Sequence, residues 1–305
     1  MAVNALDLNN LRLAVLIDAE NVPRNCIKSV MEEVAIYGTP TIKRIYGDWT
    51  SSGVAGWKYA LLENAITPIQ QYSYTVGKNS SDSAMIIDAM DILYSDKTDG
   101  FVIVSSDSDF TRLAIRLREA GQRVIGIGER KTPSAFIAAC DKFIYIEVIR
   151  AGSRARRDTD DRPETDDRPD TDDRTDADDT QQDAEEPRPD QGEARPGQEE
   201  NGQKQGLQQR EKPHHIARAR NVKVPNDIVR LIADSVADLA GDDGVVFMGE
   251  LGNLILKKQP DFDNRNFGFK SLSAMIKSID RFEIDFRQTA DPNIKHVFVR
   301  DKEAN

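Results

Sequence analysis

Histidine is nearly missing from this chain. Of 305 residues only three are His, at 214, 215 and 296, so none falls in the first 213. That excludes a Ser-His-Asp triad and a His-ligated zinc site from the N-terminal part. Cysteine is scarcer still, with Cys26 and Cys140 alone. Two cysteines cannot build a disulfide scaffold or a Cys-rich zinc site; they predict a reduced, cytoplasmic setting in which both pack as small apolar residues. No apolar run approaches the ~18 residues of a membrane helix. The polar first ten residues lack the basic-then-apolar pattern of a secretory leader. There is no Gly-x-x-x-x-Gly-Lys-Ser/Thr loop, which argues against a P-loop nucleotidase, and Gly126-Ile127-Gly128 lacks the third glycine of a dinucleotide fingerprint.

The charge is uneven. The net charge is −11, yet residues 151–212 hold 20 acidic and 11 basic residues and so account for −9 of it. Within that stretch a six-residue unit repeats as Asp158-Thr-Asp-Asp-Arg-Pro163, Glu164-Thr-Asp-Asp-Arg-Pro169 and Asp170-Thr-Asp-Asp-Arg-Thr175, and Leu207 is the lone large aliphatic residue. Such a segment cannot bury enough surface to offset its ordering entropy, and it reads as an expanded linker over 151–221. A calcium-binding repeat is the sharper alternative, but the glycines of tight calcium turns are absent from the repeats.

Residues 1–150 alternate strand and helix patterns. Strands are predicted at Leu13–Ile17, Thr41–Tyr46, Ile66–Tyr72, Phe101–Val104, Val124–Ile127 and Phe143–Val148. Helices are predicted behind Pro23, at Trp57–Ala65, Asp82–Tyr94, Phe110–Ala120 and Pro133–Cys140. Continuous apolar strands alternating with helices imply a doubly wound parallel α/β sheet. Residues 222–300 read as a separate small domain: helices from Pro225, at about Met248–Lys257 and about Lys270–Ile279, then alternating runs Phe282–Phe286 and Lys295–Val299 around Asp291-Pro292-Asn293. Three helices and a hairpin are the layout of a winged helix.

Four aspartates fall near the ends of these strands or the starts of the helices that follow. Asp18 closes Leu13-Ala-Val-Leu-Ile17, Asp82 opens a helix after Gly77-Lys78-Asn79-Ser80-Ser81, and Asp107 and Asp109 follow Phe101–Ser106. In an open parallel sheet the ligand crevice lies outside the carboxyl ends of the strands. Carboxylates gathered there, with no thiolate or imidazole nearby, suit a hard cation such as Mg²⁺ or Mn²⁺ and point to phosphodiester chemistry. Each acid also has a plainer reading as a turn or helix-cap residue. The Asp107/Asp109 pair speaks most for a metal, because a cap needs only one acid. Asn21 is suited to orient Asp18 or a phosphate, Lys78, Arg112 and Arg116 to hold a backbone, and Asp88 to border the site, while Asp91 reads as solvated.

At these residues a resemblance becomes visible. Residues 11–148 resemble an NYN domain of the LabA-like, PIN-like ribonuclease superfamily. The matching residues are Asp18 and Asn21 in Leu-Ile-Asp-Ala-Glu-Asn-Val, Asp82 and Asp88 in Asn-Ser-Ser-Asp-Ser-Ala-Met-Ile-Ile-Asp, and Asp107 and Asp109 in Val-Ser-Ser-Asp-Ser-Asp-Phe. Residues 222–300 resemble a LOTUS (OST-HTH) domain through Met248–Leu254, Pro260-Asp-Phe-Asp263 and Phe267–Leu272. The resemblance implies a metal-dependent endoribonuclease using Mg²⁺ or Mn²⁺ at Asp18, Asp82, Asp107 and Asp109, with Asn21 in support. RNA is the expected partner, DNA stays open as a substrate, and no membrane is expected. In the second domain, Lys270, Lys277, Arg281 and the aromatics of Phe262–Phe269 are the candidate RNA contacts, and the plainer reading of the phenylalanines, of Phe262 and Phe282 above all, is that they are core residues. Its even balance of charges keeps a protein partner in view. A catalytically silent RNA- or protein-binding regulator is the alternative for the whole chain.

Overall fold

Leu13–Ile17 has no polar side chain to offer water, and β1 (Arg12–Asp18) buries all five of these residues at the centre of a parallel sheet. The computed structural model describes residues 11–50, 56–72, 80–160, 223–241, 243–288 and 295–304. Lys78, the repeats beyond residue 160 and the loop at 291–293 therefore lie outside the described residues. Among the described residues the N-terminal sheet has the order β3-β2-β1-β4-β5-β6, with β2 Thr39–Gly47, β3 Thr67–Gln70, β4 Gly100–Val104, β5 Arg123–Gly128 and β6 Lys142–Tyr145, every pairing parallel. This is the doubly wound order, whose direction reverses between β1 and β4.

The period of two along each strand feeds two cores. Leu13, Val15, Ile17, Val102 and Val104 face one side, against Ile27 and Val30 of α1 (Ile27–Val34), Trp57 and Leu61 of α2 (Trp57–Asn64) and Ile146 and Ile149 of α6 (Ile146–Asp160). Ala14, Leu16, Phe101 and Ile103 face the other. There they meet Met85 and Ala89 of α3 (Ser80–Tyr94), Leu113 and Leu117 of α4 (Thr111–Glu119) and Phe136 of α5 (Ser134–Ala139). Gly126 is required by this packing, since a Cβ there would lie 2.5 Å from the Phe143 ring. Cys26 and Cys140 are buried, and burial pushes their thiols up to about 11 and about 12, so both are inert packing residues.

One expected element is corrected. The pattern predicts a single strand over Phe143–Val148, but the strand stops at Tyr145 and α6 begins at Ile146. Phe143, Ile144, Ile146, Val148 and Ile149 are all buried. A short run that is apolar but for Glu147 fits either period, and packing of Ile146 and Ile149 at helical spacing against the first core decides it.

The C-terminal module comprises α7 (Asn226–Leu239), β7 (Val245–Phe247), α8 (Met248–Lys258), α9 (Leu272–Lys277), β8 (Phe282–Gln288) and β9 (Lys295–Asp301). Its sheet has the order β7-β9-β8 and is antiparallel, a small winged helix. The three-residue β7 had no sequence signal. Helix α9 is shorter than the pattern implied: Ser271 caps it by accepting from Ala274 N at 3.2 Å, which leaves Lys270 ahead of the helix.

Both modules belong to one compact unit, and polar contacts join them. Arg265 forks its guanidinium between Glu33 of α1 (2.7 and 2.8 Å) and Asp263 (2.7 Å). Tyr145 Oη donates to Asp261 at 2.8 Å, and Phe143 N on β6 donates to Pro260 O at 2.8 Å. Glu33 is 6 % exposed, so removing Arg265 strands a buried carboxylate. Arg265→Ala should cost about 2 kcal/mol in chemical denaturation, below the value for a fully buried pair because the arginine is partly hydrated. Glu33→Gln/Arg265→Ala should recover part of the loss; a double variant as unstable as the sum of its parts would remove the pair from this role.

Candidate active site

The switch between β1 and β4 brings together three segments: the β1 end with Ala19-Glu20-Asn21, the β4 end with Ser105–Asp109, and the first turn of α3. Asp18 lies at the centre, 2 % exposed, and all of its acceptor capacity is used. Its Oδ1 accepts from Glu20 N (3.0 Å) and Asn21 N (3.3 Å), and its Oδ2 accepts from Asn21 Nδ2 (2.7 Å) and Ser105 Oγ (2.8 Å). Such donors are what make a buried carboxylate tolerable. Ser105 Oγ in turn accepts from Asp107 N at 3.1 Å, and Asp107 Oδ1 accepts from Asp109 N at 2.9 Å. Ser106 Oγ accepts from Glu129 N at 2.8 Å and ties the same loop to the end of β5. A chain of hydrogen bonds thus runs from Asp18 through Ser105 to the acid pair.

Asp82, Asp107 and Asp109 offer carboxylate oxygens that all lie within 4.8 Å of one another. Asp18 is not one of these three. It stands beside them, and its charge, with those of Asp107, Glu20 and Asp109, adds to burial in raising Asp82 to about 6. Asn21 orients Asp18. Asp88 is committed elsewhere, bonding Arg44 and Tyr46 of β2. Arg112 is exposed, and Arg116 reaches Tyr94 Oη at 3.3 Å. Two participants were missed in the sequence. Ser105 relays Asp18 to Asp107, and Glu20 accepts from Ser81 Oγ at 3.1 Å beside Asp82. The signal for Ser105 was a small hydroxyl residue between a buried strand and an acid pair.

In the C-terminal module Lys270 and Lys277 are exposed. Arg281 is not available as expected, because it is paired with Asp301 at 2.6–2.9 Å. Phe262 and Phe282 are buried in the core, in line with their plainer reading, and Phe267 and Phe269 are partly buried against the same core.

Family models match the chain in two places, an NYN domain at residues 12–147 and an OST-HTH/LOTUS domain at 223–294. The chain carries an NYN domain followed by a LOTUS domain. The first belongs to a PIN-like nuclease family, and the second implies RNA binding. Among solved structures, a protein of unknown function from Vibrio parahaemolyticus is 18% identical with a TM-score of 0.40, over 48% of this chain and 96% of that one. An uncharacterised protein from Nitrosomonas europaea is 29% identical with a TM-score of 0.26, over 32% of this chain and 93% of the other. No curated protein matches the chain. Among the described residues no helix is long and apolar enough to cross a membrane.

The raised Asp82 gives a signed prediction. Its folded pKa lies above the unfolded value near 3.8, so the folded state holds the extra proton, and stability falls as pH rises from about 4 to about 6. Without divalent metal, Asp82→Asn should melt a few degrees higher than wild type at pH 7 and no higher at pH 4. A variant that melts lower at pH 7 would mean that Asp82 is not under like-charge stress.

Proposed function

We propose that the chain is a metal-dependent endoribonuclease whose NYN domain cleaves RNA held in part by the LOTUS domain. The observation that carries this reading is the convergence of Asp82, Asp107 and Asp109 at the switch point of a doubly wound sheet. The donor set fits a hard cation: three carboxylates, no thiolate or imidazole, and around Asp82 an excess of negative charge that raises its pKa. Asp82, Asp107 and Asp109 would hold Mg²⁺ or Mn²⁺. The ion, when bound, would acidify a water and neutralise charge on the scissile phosphate.

The chain's own residues prepare the rest. Asp18 stands beside the three acids and, through Ser105, fixes the backbone of Asp107. Asn21 holds the Asp18 carboxylate from the α1 side. Arg112 and Lys78 would meet the substrate backbone. The expected linker start at 151 is corrected by α6, which runs to Asp160; residues 161–221 would serve as a linker whose acidity repels RNA.

The test is cleavage of a labelled single-stranded RNA and its DNA counterpart with Mn²⁺, Mg²⁺ or EDTA. RNA should be cut only with metal, and Asp107→Asn should lose at least about 100-fold in rate while melting normally. Wild-type cleavage by Asp107→Asn would refute the assignment. No cleavage under any condition by a folded protein would favour a silent RNA-binding regulator.

A further inference from the structure

The aromatic residues of the LOTUS domain fall into two sets. Phe262, Phe267, Phe269 and Phe282 serve its core. Phe247 and Phe298 do not. In the β7–β9 register Val246 pairs with Val299 on the core side, whereas Phe247 pairs with Phe298 on the opposite face. His296, two residues before Phe298, shares that outer face. The three rings form one cluster, with centroids 5.2 Å apart for Phe247–His296, 5.8 Å for Phe247–Phe298 and 6.4 Å for His296–Phe298. Arg287, opposite His296 on β8, places its guanidinium carbon 4.6 Å from the Phe298 ring centroid. Phe247 is 36 % exposed, and His296, Arg287 and Arg300 are exposed as well.

We propose that this outer face is a base-stacking platform for single-stranded RNA; the assignment rests on the RNA-binding reading above. Aromatic rings presented across a sheet, with guanidinium groups at their edges, are suited to bases stacked on the rings and phosphates beside the cations. Neighbouring strands lie about 4.8 Å apart, so the three strands give a track of about 10 Å, room for two or three nucleotides. The face has little aliphatic surface beyond Val245, where a protein interface would want an apolar centre. Asp285 is held by Arg287 at 3.1 Å, and Glu283 sits opposite Arg300, so the face is close to neutral and stacking supplies its affinity.

The test uses the full chain in EDTA, which prevents cleavage, and the anisotropy of a labelled mixed-sequence single-stranded RNA. Phe247→Ala/His296→Ala should raise Kd about 10-fold or more, and Phe247→Trp should keep wild-type affinity. Arg287→Glu, at an exposed position, should also weaken binding and gives a readout should the double variant fail to fold. Unchanged affinity in either variant, with an unchanged melting temperature, overturns the assignment and leaves the face to a protein partner. If wild type itself binds no RNA in EDTA the platform is refuted, whereas metal-dependent cleavage would still uphold the nuclease.

Discussion

A buried carboxylate at the end of the central strand governs the N-terminal domain. Asp18 is held by four donors from two loops that the sheet topology brings together, and each donor also fixes something else. Glu20 and Asn21 amides set the turn into α1, and the Ser105 hydroxyl orders the loop that carries Asp107 and Asp109. An unpartnered carboxylate at this depth would be costly. The loops therefore cannot relax without exposing that cost, and the position of the acids follows from solvating one charge with protein donors.

The same arrangement puts one acid under like-charge stress. Asp82 feels burial together with four neighbouring carboxylates, which raise it to about 6, so between about pH 4 and pH 6 it holds a proton that an ordinary aspartate would release. Perturbed carboxylates of this kind cluster at functional sites. The two kinds of acid differ: Asp18 organises the loops, and Asp82, Asp107 and Asp109 are grouped closely enough that they could hold a metal ion.

Much of this was legible in the sequence, for identifiable reasons. Continuous apolar strands can be read because both faces of a parallel sheet are buried, so the order of elements and the acids near their ends emerged together. What stayed hidden depended on contacts distant in sequence. Asp88 finds Arg44 and Tyr46 across the sheet, and Asp18 finds Ser105 87 residues away. The strand-to-helix change at Ile146 was invisible because every apolar residue there is buried. In the second domain Phe262, Phe267, Phe269 and Phe282 are core, while Phe247 and Phe298 face outward. Spacing alone does not say which face of a short strand will find a partner.

The joint between the two domains bears on how the sheet ends. Exposed strand edges present unpaired N–H and C=O groups that template pairing with another chain. One edge, β3, is only four residues long and includes Pro68, which has no N–H to donate. The other edge, β6, has its Phe143 N–H occupied by Pro260 O from the LOTUS domain. That domain is thus also a cover for an open edge. A chain shortened before residue 223 would keep its acids and its sheet, and its weakness would be strand-to-strand self-association rather than unfolding.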